Sequence, residues 1–184
     1  MPRDFEEALK WGQEGEQIVG RYLMRRGAKI MPLYQFDNHG AAPVVVWGGS
    51  ASEVQMASPD FICWRSGKQY FAEAKRKRRW VHYPRARRGL ETGFNARLMN
   101  HYTEIEAATG APVWVFFLHE SSGHPKSEPS GLFCGLLSKL TQNVRIWDGR
   151  SANDSSYVTQ PEALFPQSSL SLVCSLDELA QVAA

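Results

Sequence analysis

Apolar residues recur at helical spacing along the first part of the chain. At 100° per residue, six positions fall within an arc of roughly 80° and form one stripe: Phe5, Leu9, Gly12, Glu16, Val19 and Leu23. Asp4 and Glu7 have the spacing of an N-terminal capping box, and Gly27 supplies a stop. We therefore predict a helix from about Phe5 to Arg26, with Glu16 in the middle of its buried stripe.

Further along the chain, the pattern changes to that of strands. Two β-rich runs, residues 60–64 and 69–75, are separated by a four-residue connection. Residues 93–110 carry apolar side chains at helical spacing, and residues 111–119 are almost continuously apolar, which is typical of a strand buried on both faces. The order helix, strands, helix, strand predicts an α/β fold.

Two stretches carry weaker signals. Residues 37–52 are rich in Gly and Ser around a small apolar run that predicts one extra strand, and the part after about Glu120 holds a loop, two ambiguous short elements and a helix capped by Ser175. With 184 residues, 43% of them hydrophobic, the chain can bury a sizeable core. We predict one domain over residues 1–184, with a core over about residues 5–118 and a C-terminal extension over 119–184.

The composition argues against several classes of protein. Three cysteines far apart, in no C-x-x-C pairing, indicate neither a disulfide framework nor a zinc cluster. No apolar run approaches the roughly 20 residues of a membrane helix, and the N-terminus is acidic and amphipathic, unlike a signal peptide. We expect a soluble protein of the reducing cytoplasm that does not contact a membrane.

The net charge of +2 hides a local basic patch. The segment from Lys75 to Arg97 holds nine of the 21 Lys and Arg residues against one acid, Glu91. Such a run is often a solvated loop, but interleaved aromatic residues favour contact with nucleic acid, because cations bind phosphates and rings stack on bases. The predicted contact residues are Arg76, Lys77, Arg78, Arg79, Trp80, Arg85, Arg87 and Arg88.

Candidate chemistry lies just before this patch. If Ser66 and Gly67 form a two-residue hairpin loop, the resulting register places Asp60 directly opposite Glu73. Opposed like charges on one sheet face favour a cation between them, and carboxylate oxygens suit Mg²⁺ or Mn²⁺. Because side chains alternate along a strand, Lys75 shares the face of Glu73. These residues could instead form an ordinary solvated strand face.

This combination resembles the PD-(D/E)XK nuclease superfamily, which includes restriction-type endonucleases and archaeal Holliday-junction resolvases. Pro59-Asp60 matches the PD element, Glu73-Ala74-Lys75 matches the E-x-K element, and Glu16 matches the inward glutamate of the first helix. The resemblance covers about residues 12–118. It implies a restriction-endonuclease-like α/β core with a central mixed β-sheet flanked by helices.

The resemblance also implies a reaction, the Mg²⁺-dependent hydrolysis of phosphodiester bonds in DNA by an endodeoxyribonuclease. Asp60 and Glu73 would bind the metal together with the backbone carbonyl of Ala74, and Mn²⁺ is expected to substitute for Mg²⁺. Lys75 would serve the attacking water and Glu16 would assist. A lysine beside carboxylates stays protonated unless it is desolvated, which favours orienting the water over deprotonating it.

Other interpretations stay open at the level of sequence. The chain could be a nucleic-acid-binding module of the same fold that does not cleave, or a nuclease subunit that needs a partner. The basic segment could contact RNA or an acidic protein surface instead of DNA, and a homodimer is compatible with families of this type. His119 and His124 are five residues apart, which fails the metalloprotease spacing, and we predict that both are surface-loop histidines.

Overall fold

The structure of the protein, a computed structural model, describes residues 5–33, 44–47, 54–82, 89–120, 128–148 and 160–183. The helices are α1 (Phe5–Arg25), α2 (Ala96–Thr109), α3 (Leu137–Leu140) and α4 (Leu176–Ala183). The strands are β1 (Lys29–Pro32), β2 (Val44–Trp47), β3 (Val54–Ala57), β4 (Phe61–Arg65), β5 (Lys68–Lys77), β6 (Val81–His82), β7 (Leu90–Asn95), β8 (Val113–His119), β9 (Gly131–Leu136), β10 (Arg145–Trp147), β11 (Glu162–Pro166) and β12 (Ser171–Cys174). Within these ranges, no helix is long and apolar enough to cross a membrane.

Helix α1 forms where the apolar stripe predicted it. It ends at Arg25, and Gly27 follows in the left-handed region with φ +83°, a conformation that glycine adopts at little steric cost. The N–H of Ala28 donates to the carbonyl of Leu23 at 3.0 Å and closes the C-terminal turn. Asp4 of the predicted capping box lies outside the described residues.

A six-stranded sheet is the centre of the fold, with strand order β1-β4-β5-β8-β9-β12. Strands β5 and β8 are parallel, and the other neighbouring pairs are antiparallel. Apolar side chains of α1 and α4 pack on one face of this sheet, and those of α2 pack on the other. The predicted fold class, α/β with a central mixed sheet flanked by helices, is confirmed.

The hairpin between β4 and β5 has the predicted register. Ser66 and Gly67 both have positive φ, +51° and +76°, as a tight hairpin loop requires. Trp64 pairs with Gln69, and the last pair of the ladder is Phe61 with Ala72. Asp60 and Glu73 follow directly beyond that last pair, on the sheet face opposite to Phe61 and Ala72.

A second sheet, with strand order β10-β11-β7-β6, covers part of the face that carries α2. Residues beyond 119 contribute to both sheets, since β9 and β12 extend the main sheet and β10 and β11 belong to the second. One extra strand was predicted in residues 37–52; β2 lies there and pairs with β3 as a small antiparallel ladder.

Candidate active site

Two buried carboxylates, Asp60 and Glu73, lie next to each other at the end of the β4–β5 ladder. Each accepts a hydrogen bond from a backbone N–H at or beside the other residue. Their exposed fractions are 7% and 1%. Asp60 Oδ2 accepts from the N–H of Ala74 at 2.7 Å, and the N–H of Asp60 donates to Glu73 Oε2 at 3.2 Å. The N–H of Leu33 donates to the carbonyl of Asp60 at 3.0 Å. These bonds fix the two acids as neighbours, although the backbone ladder itself stops one residue earlier.

Lys75 lies on the same face of β5 as Glu73, and its Nζ forms an ion pair with Glu73 Oε1. About a quarter of its side chain, 27%, is exposed. Burial works to lower the pKa of Lys75, but the carboxylates of Glu73 and Asp60 outweigh it and hold the pKa above its ordinary value. Lys75 is therefore protonated at neutral pH, which suits a group that donates hydrogen bonds.

Glu16 reaches the same cluster from α1. Burial raises its pKa to about 7, Lys75 lowers it in part, and Glu73 raises it further. Among the hydrogen bonds of the described residues, none reaches the buried Oε2 of Glu16. The pKa of Asp60 is also well above its ordinary value, first because of burial and then because of Glu73. The structure thus brings together the four residues of the predicted catalytic set.

Helix α2 contributes contacts that were not predicted. The hydroxyl of Tyr102 hydrogen-bonds to Glu73, and the Tyr102 pKa is raised by burial and then by Glu73 and Asp60. The neighbouring His101 accepts at Nδ1 from the N–H of Ala57 at 3.0 Å, three residues before Asp60. Neither residue was assigned to the site from the sequence. A tyrosine on the buried side of a helix needs a partner for its hydroxyl, which was the available signal.

The donor set fits a hard divalent cation by its chemistry. Three acids lie within electrostatic reach of one lysine, and one acid keeps an unpartnered buried oxygen. Oxygen donors of this kind are those that Mg²⁺ and Mn²⁺ prefer. Within the described ranges, no three His, Cys, Asp or Glu side chains are arranged to hold a metal ion by themselves, so the side-chain ligands available to a cation here are fewer than three and a backbone oxygen has to complete them.

The residues predicted to contact nucleic acid do not all lie on the same face of the sheet. Strand β5 continues through Arg76 and Lys77, and the chain bends at Arg78 and Arg79, both of which are exposed. Lys77 shares the face of Lys75, and burial lowers its pKa. Arg76 lies on the other face of the sheet. Three further predicted contacts, Arg85, Arg87 and Arg88, lie outside the described residues.

Trp80 and His119 pack together in the interior. Trp80 is 3% exposed, its Nε1–H donates to the carbonyl of Pro129 at 2.7 Å, and its ring stacks on His119 with centroids 3.8 Å apart. The ring of Trp80 is therefore covered, although it was predicted to meet nucleic acid. The prediction that His119 is a surface-loop histidine is wrong, because it ends strand β8 and is buried. His124 lies outside the described residues.

Five chains among the solved structures match this protein. The fold resembles that of an archaeal resolvase. The solved structure is that of Archaeoglobus fulgidus Hjc, a Holliday junction resolvase from an archaeal hyperthermophile, with 11% sequence identity and a TM-score of 0.47. The match covers 85% of this chain and 84% of that chain. No protein-family model matches the chain, and neither does any curated protein.

Proposed function

We propose that the protein is a metal-dependent nuclease that hydrolyses phosphodiester bonds of DNA, with residues 1–184 as one nuclease domain. The observation that carries the proposal is the convergence of Glu16, Asp60 and Glu73 on Lys75, in a buried cluster with more acids than cations. An excess of buried negative charge is costly for a fold, and such clusters are typical of functional sites that bind a cation.

Asp60, Glu73 and the backbone carbonyl of Ala74 would hold Mg²⁺, with Mn²⁺ able to substitute. A bound divalent cation supplies a more acidic water and neutralises charge that develops on the phosphate. Tyr102 and Lys75 hold the carboxylate of Glu73 in a fixed orientation.

The protein's own side chains would perform the remaining steps. The protonated ammonium of Lys75 donates hydrogen bonds to the attacking water or to a phosphate oxygen. The buried Oε2 of Glu16, which has no hydrogen-bond partner among the described residues, would accept a hydrogen bond from a water. Lys77, Arg78 and Arg79 follow the site along the chain and would attract the DNA backbone. RNA as substrate, and a homodimer that cuts two strands, are extensions of the same proposal.

The deciding experiment compares wild type with Lys75→Ala on supercoiled, linear, single-stranded and four-way-junction DNA, in Mg²⁺, Mn²⁺ or EDTA. We expect cleavage by wild type that EDTA abolishes, and a rate lower by about 10²–10³ in Lys75→Ala, the usual effect of removing one charge-stabilising group. Lys68→Ala is the matched control, because Lys68 is exposed at the far end of the same strand.

Two outcomes separate the proposal from its competitors. If wild type and Lys75→Ala bind DNA equally and neither cleaves any substrate, the protein is a binding module or a subunit that needs a partner. If both cleave at the same rate, the assigned site is not the catalytic one. A steeper salt dependence of binding for RNA or heparin than for DNA would indicate a different polyanion as the partner.

A further inference from the structure

Arg76 follows the catalytic lysine in sequence but lies beneath α1, on the opposite face of the sheet. Its Nη1 donates to Glu14 Oε2 at 2.9 Å and to the carbonyl of Trp11 at 3.0 Å. Its Nε and Nη2 donate to Glu120 Oε1 at 2.9 and 2.6 Å. The guanidinium also lies 4.9 Å from the centroid of the Trp11 ring. Arg76 thus joins α1 to the residue that follows β8.

The backbone of α1 rests directly on the stem of this arginine. A Cβ added to Gly15 would lie 2.8 Å from Arg76 Cβ and 3.2 Å from its Cδ. Real Cβ atoms do not approach so closely, and Cβ of Arg76 is fixed by the strand, so any side chain at position 15 would push the helix away. Gly12, one turn earlier, has no atom within 4 Å of such a Cβ.

These contacts involve residues next to the catalytic glutamate and the catalytic lysine in sequence. Glu16 directly follows Gly15, and Glu14 precedes it by two residues, while Arg76 directly follows Lys75. The distance between the two catalytic side chains is therefore set by the contact between their immediate neighbours. Arg76 makes its bonds through a planar fork that a lysine lacks, so it can bond the helix and Glu120 at once.

We propose that Arg76 and the backbone of Gly15 form a clamp that positions Glu16 beside Lys75 and Glu73. Arg76 is then a positioning residue that acts through Glu16, and not a contact to phosphate. The clamp rests on the proposed nuclease function for its catalytic meaning, but the placement of Glu16 that it predicts can be measured without cleavage.

The first test compares two glycine substitutions in the same helix. In Gly15→Ala the helix must move, and we expect cleavage to fall on the order of 10²-fold, as displacements near 1 Å can cause. Gly12→Ala is the matched control, with unchanged cleavage and an equal or higher Tm, because alanine favours helix and meets open space there. Equal cleavage rates for the two variants, both folded at the assay temperature, would overturn the clamp.

The second test asks whether Arg76 acts through Glu16. We expect Arg76→Gln to reduce cleavage about tenfold or more in wild type, and to have little further effect in Glu16→Gln, because residues that act as a unit are not additive. Losses that multiply in the double variant would show that Arg76 acts independently. We expect Arg76→Lys to stay impaired, since it keeps the charge but loses the fork; full activity would refute the clamp.

Two further measurements do not need catalysis. In the Lys75→Ala background, Arg76→Gln should leave the slope of log binding constant against log salt unchanged for DNA, whereas loss of a phosphate contact would reduce that slope by about 1. In crystal structures, the distance from the Glu16 carboxylate to Lys75 Nζ should change in Gly15→Ala and Arg76→Gln but not in Gly12→Ala. A wild type that never cleaves would refute the proposed function, while an unmoved Glu16 would refute the clamp.

Discussion

Glu73 and Glu91 are two buried glutamates with opposite surroundings. Glu91, fully buried on β7 of the second sheet, pairs with Arg145 on β10, whose Nη2 lies 2.5 Å from Oε2 and whose Nε donates to Oε1 at 3.4 Å. The guanidinium contacts the carboxylate at two points. Such a pair is electrically balanced, and its removal from one side only would leave a buried charge without compensation.

Glu73, in the main sheet, shares Lys75 with two other acids, Asp60 and Glu16. Its hydrogen bonds come from Tyr102 and from the N–H of Asp60, and its ion pair is with Lys75. Burial of an acid does not by itself mark a functional site. The imbalance between acids and cations does, because a fold gains nothing from it unless a cation or substrate completes it.

The largest effect is expected at the balanced pair. Arg145→Gln should lower the free energy of unfolding by about 3–5 kcal/mol, because Glu91 would stay buried without its cation. Urea unfolding measures the loss, and Arg97→Gln, at an exposed position of α2, should stay within about 0.5 kcal/mol of wild type. A loss below about 1 kcal/mol for Arg145→Gln would show that the Glu91 pair does not hold the second sheet together.

The second largest effect is expected from added Mg²⁺, which should act at the acids around Lys75 and not at the pair of Glu91 and Arg145. At a concentration of 100 Kd, a cation that binds only the folded protein stabilises it by about 2.7 kcal/mol. We expect this gain in wild type and in Arg145→Gln, and its loss in Glu73→Gln, which lacks a ligand oxygen with full charge. Thermal unfolding with and without Mg²⁺ measures it. A gain that survives in Glu73→Gln would place the cation elsewhere.

His119 is expected to make the stability of the protein depend on pH. Its Nε2 lies 3.0 Å from the hydroxyl of Thr92, next to Glu91, and burial followed by the charge of Lys77 lowers its pKa to about 3. In the unfolded chain, His119 has a pKa near 6.5. Between about pH 6.5 and pH 3, the unfolded chain therefore binds a proton at His119 that the folded protein does not bind. Stability therefore falls as pH drops through this window, by about 2 kcal/mol from pH 7 to pH 5.

Comparing wild type with a variant that lacks His119 separates the effect of this histidine on stability from that of the other titrating groups. Carboxyl groups with a raised pKa, such as those of Asp60 and Glu16, act in the opposite direction, because they cost stability as pH rises. From pH 7 to pH 5, the urea midpoint of wild type should therefore fall further than that of His119→Phe. Parallel curves would show that His119 takes up its proton in the folded protein as easily as in the unfolded one.

The smallest effect is expected at Glu16, one of the three acids near Lys75. Without metal at pH 8, Glu16→Gln should raise the free energy of unfolding by about 1 kcal/mol, because it removes one of three neighbouring acids and leaves Lys75 with two. Cleavage should fall in the same variant. Activity and urea unfolding on one preparation measure both, and a variant that is less stable than wild type would contradict the idea of an acid excess.

Local sequence signals were enough for a large part of the fold and of the site. The apolar stripe and Gly27 predicted α1, and the Ser66-Gly67 loop predicted the register that brings Asp60 to Glu73. These features depend on neighbours in sequence and on the period of a helix or strand, so one chain without any partner suffices to predict them. That register and the placement of Glu16 in the stripe singled out the four residues, and the family resemblance implied their catalytic role.

Only the tertiary structure decided which of the polar residues face the site. Alternation along β5 separates Arg76 from Lys75, but it does not say that α1 covers the arginine and holds it with Glu14 and Glu120. Likewise, Trp80 and His119 stack on each other, and Tyr102 meets Glu73, through elements that are distant in sequence. The sequence by itself determined helix α1 and the β4–β5 hairpin with its register, since these depend on local periodicity and on the turn residues. Packing between distant elements determined which charges are balanced and which remain in excess.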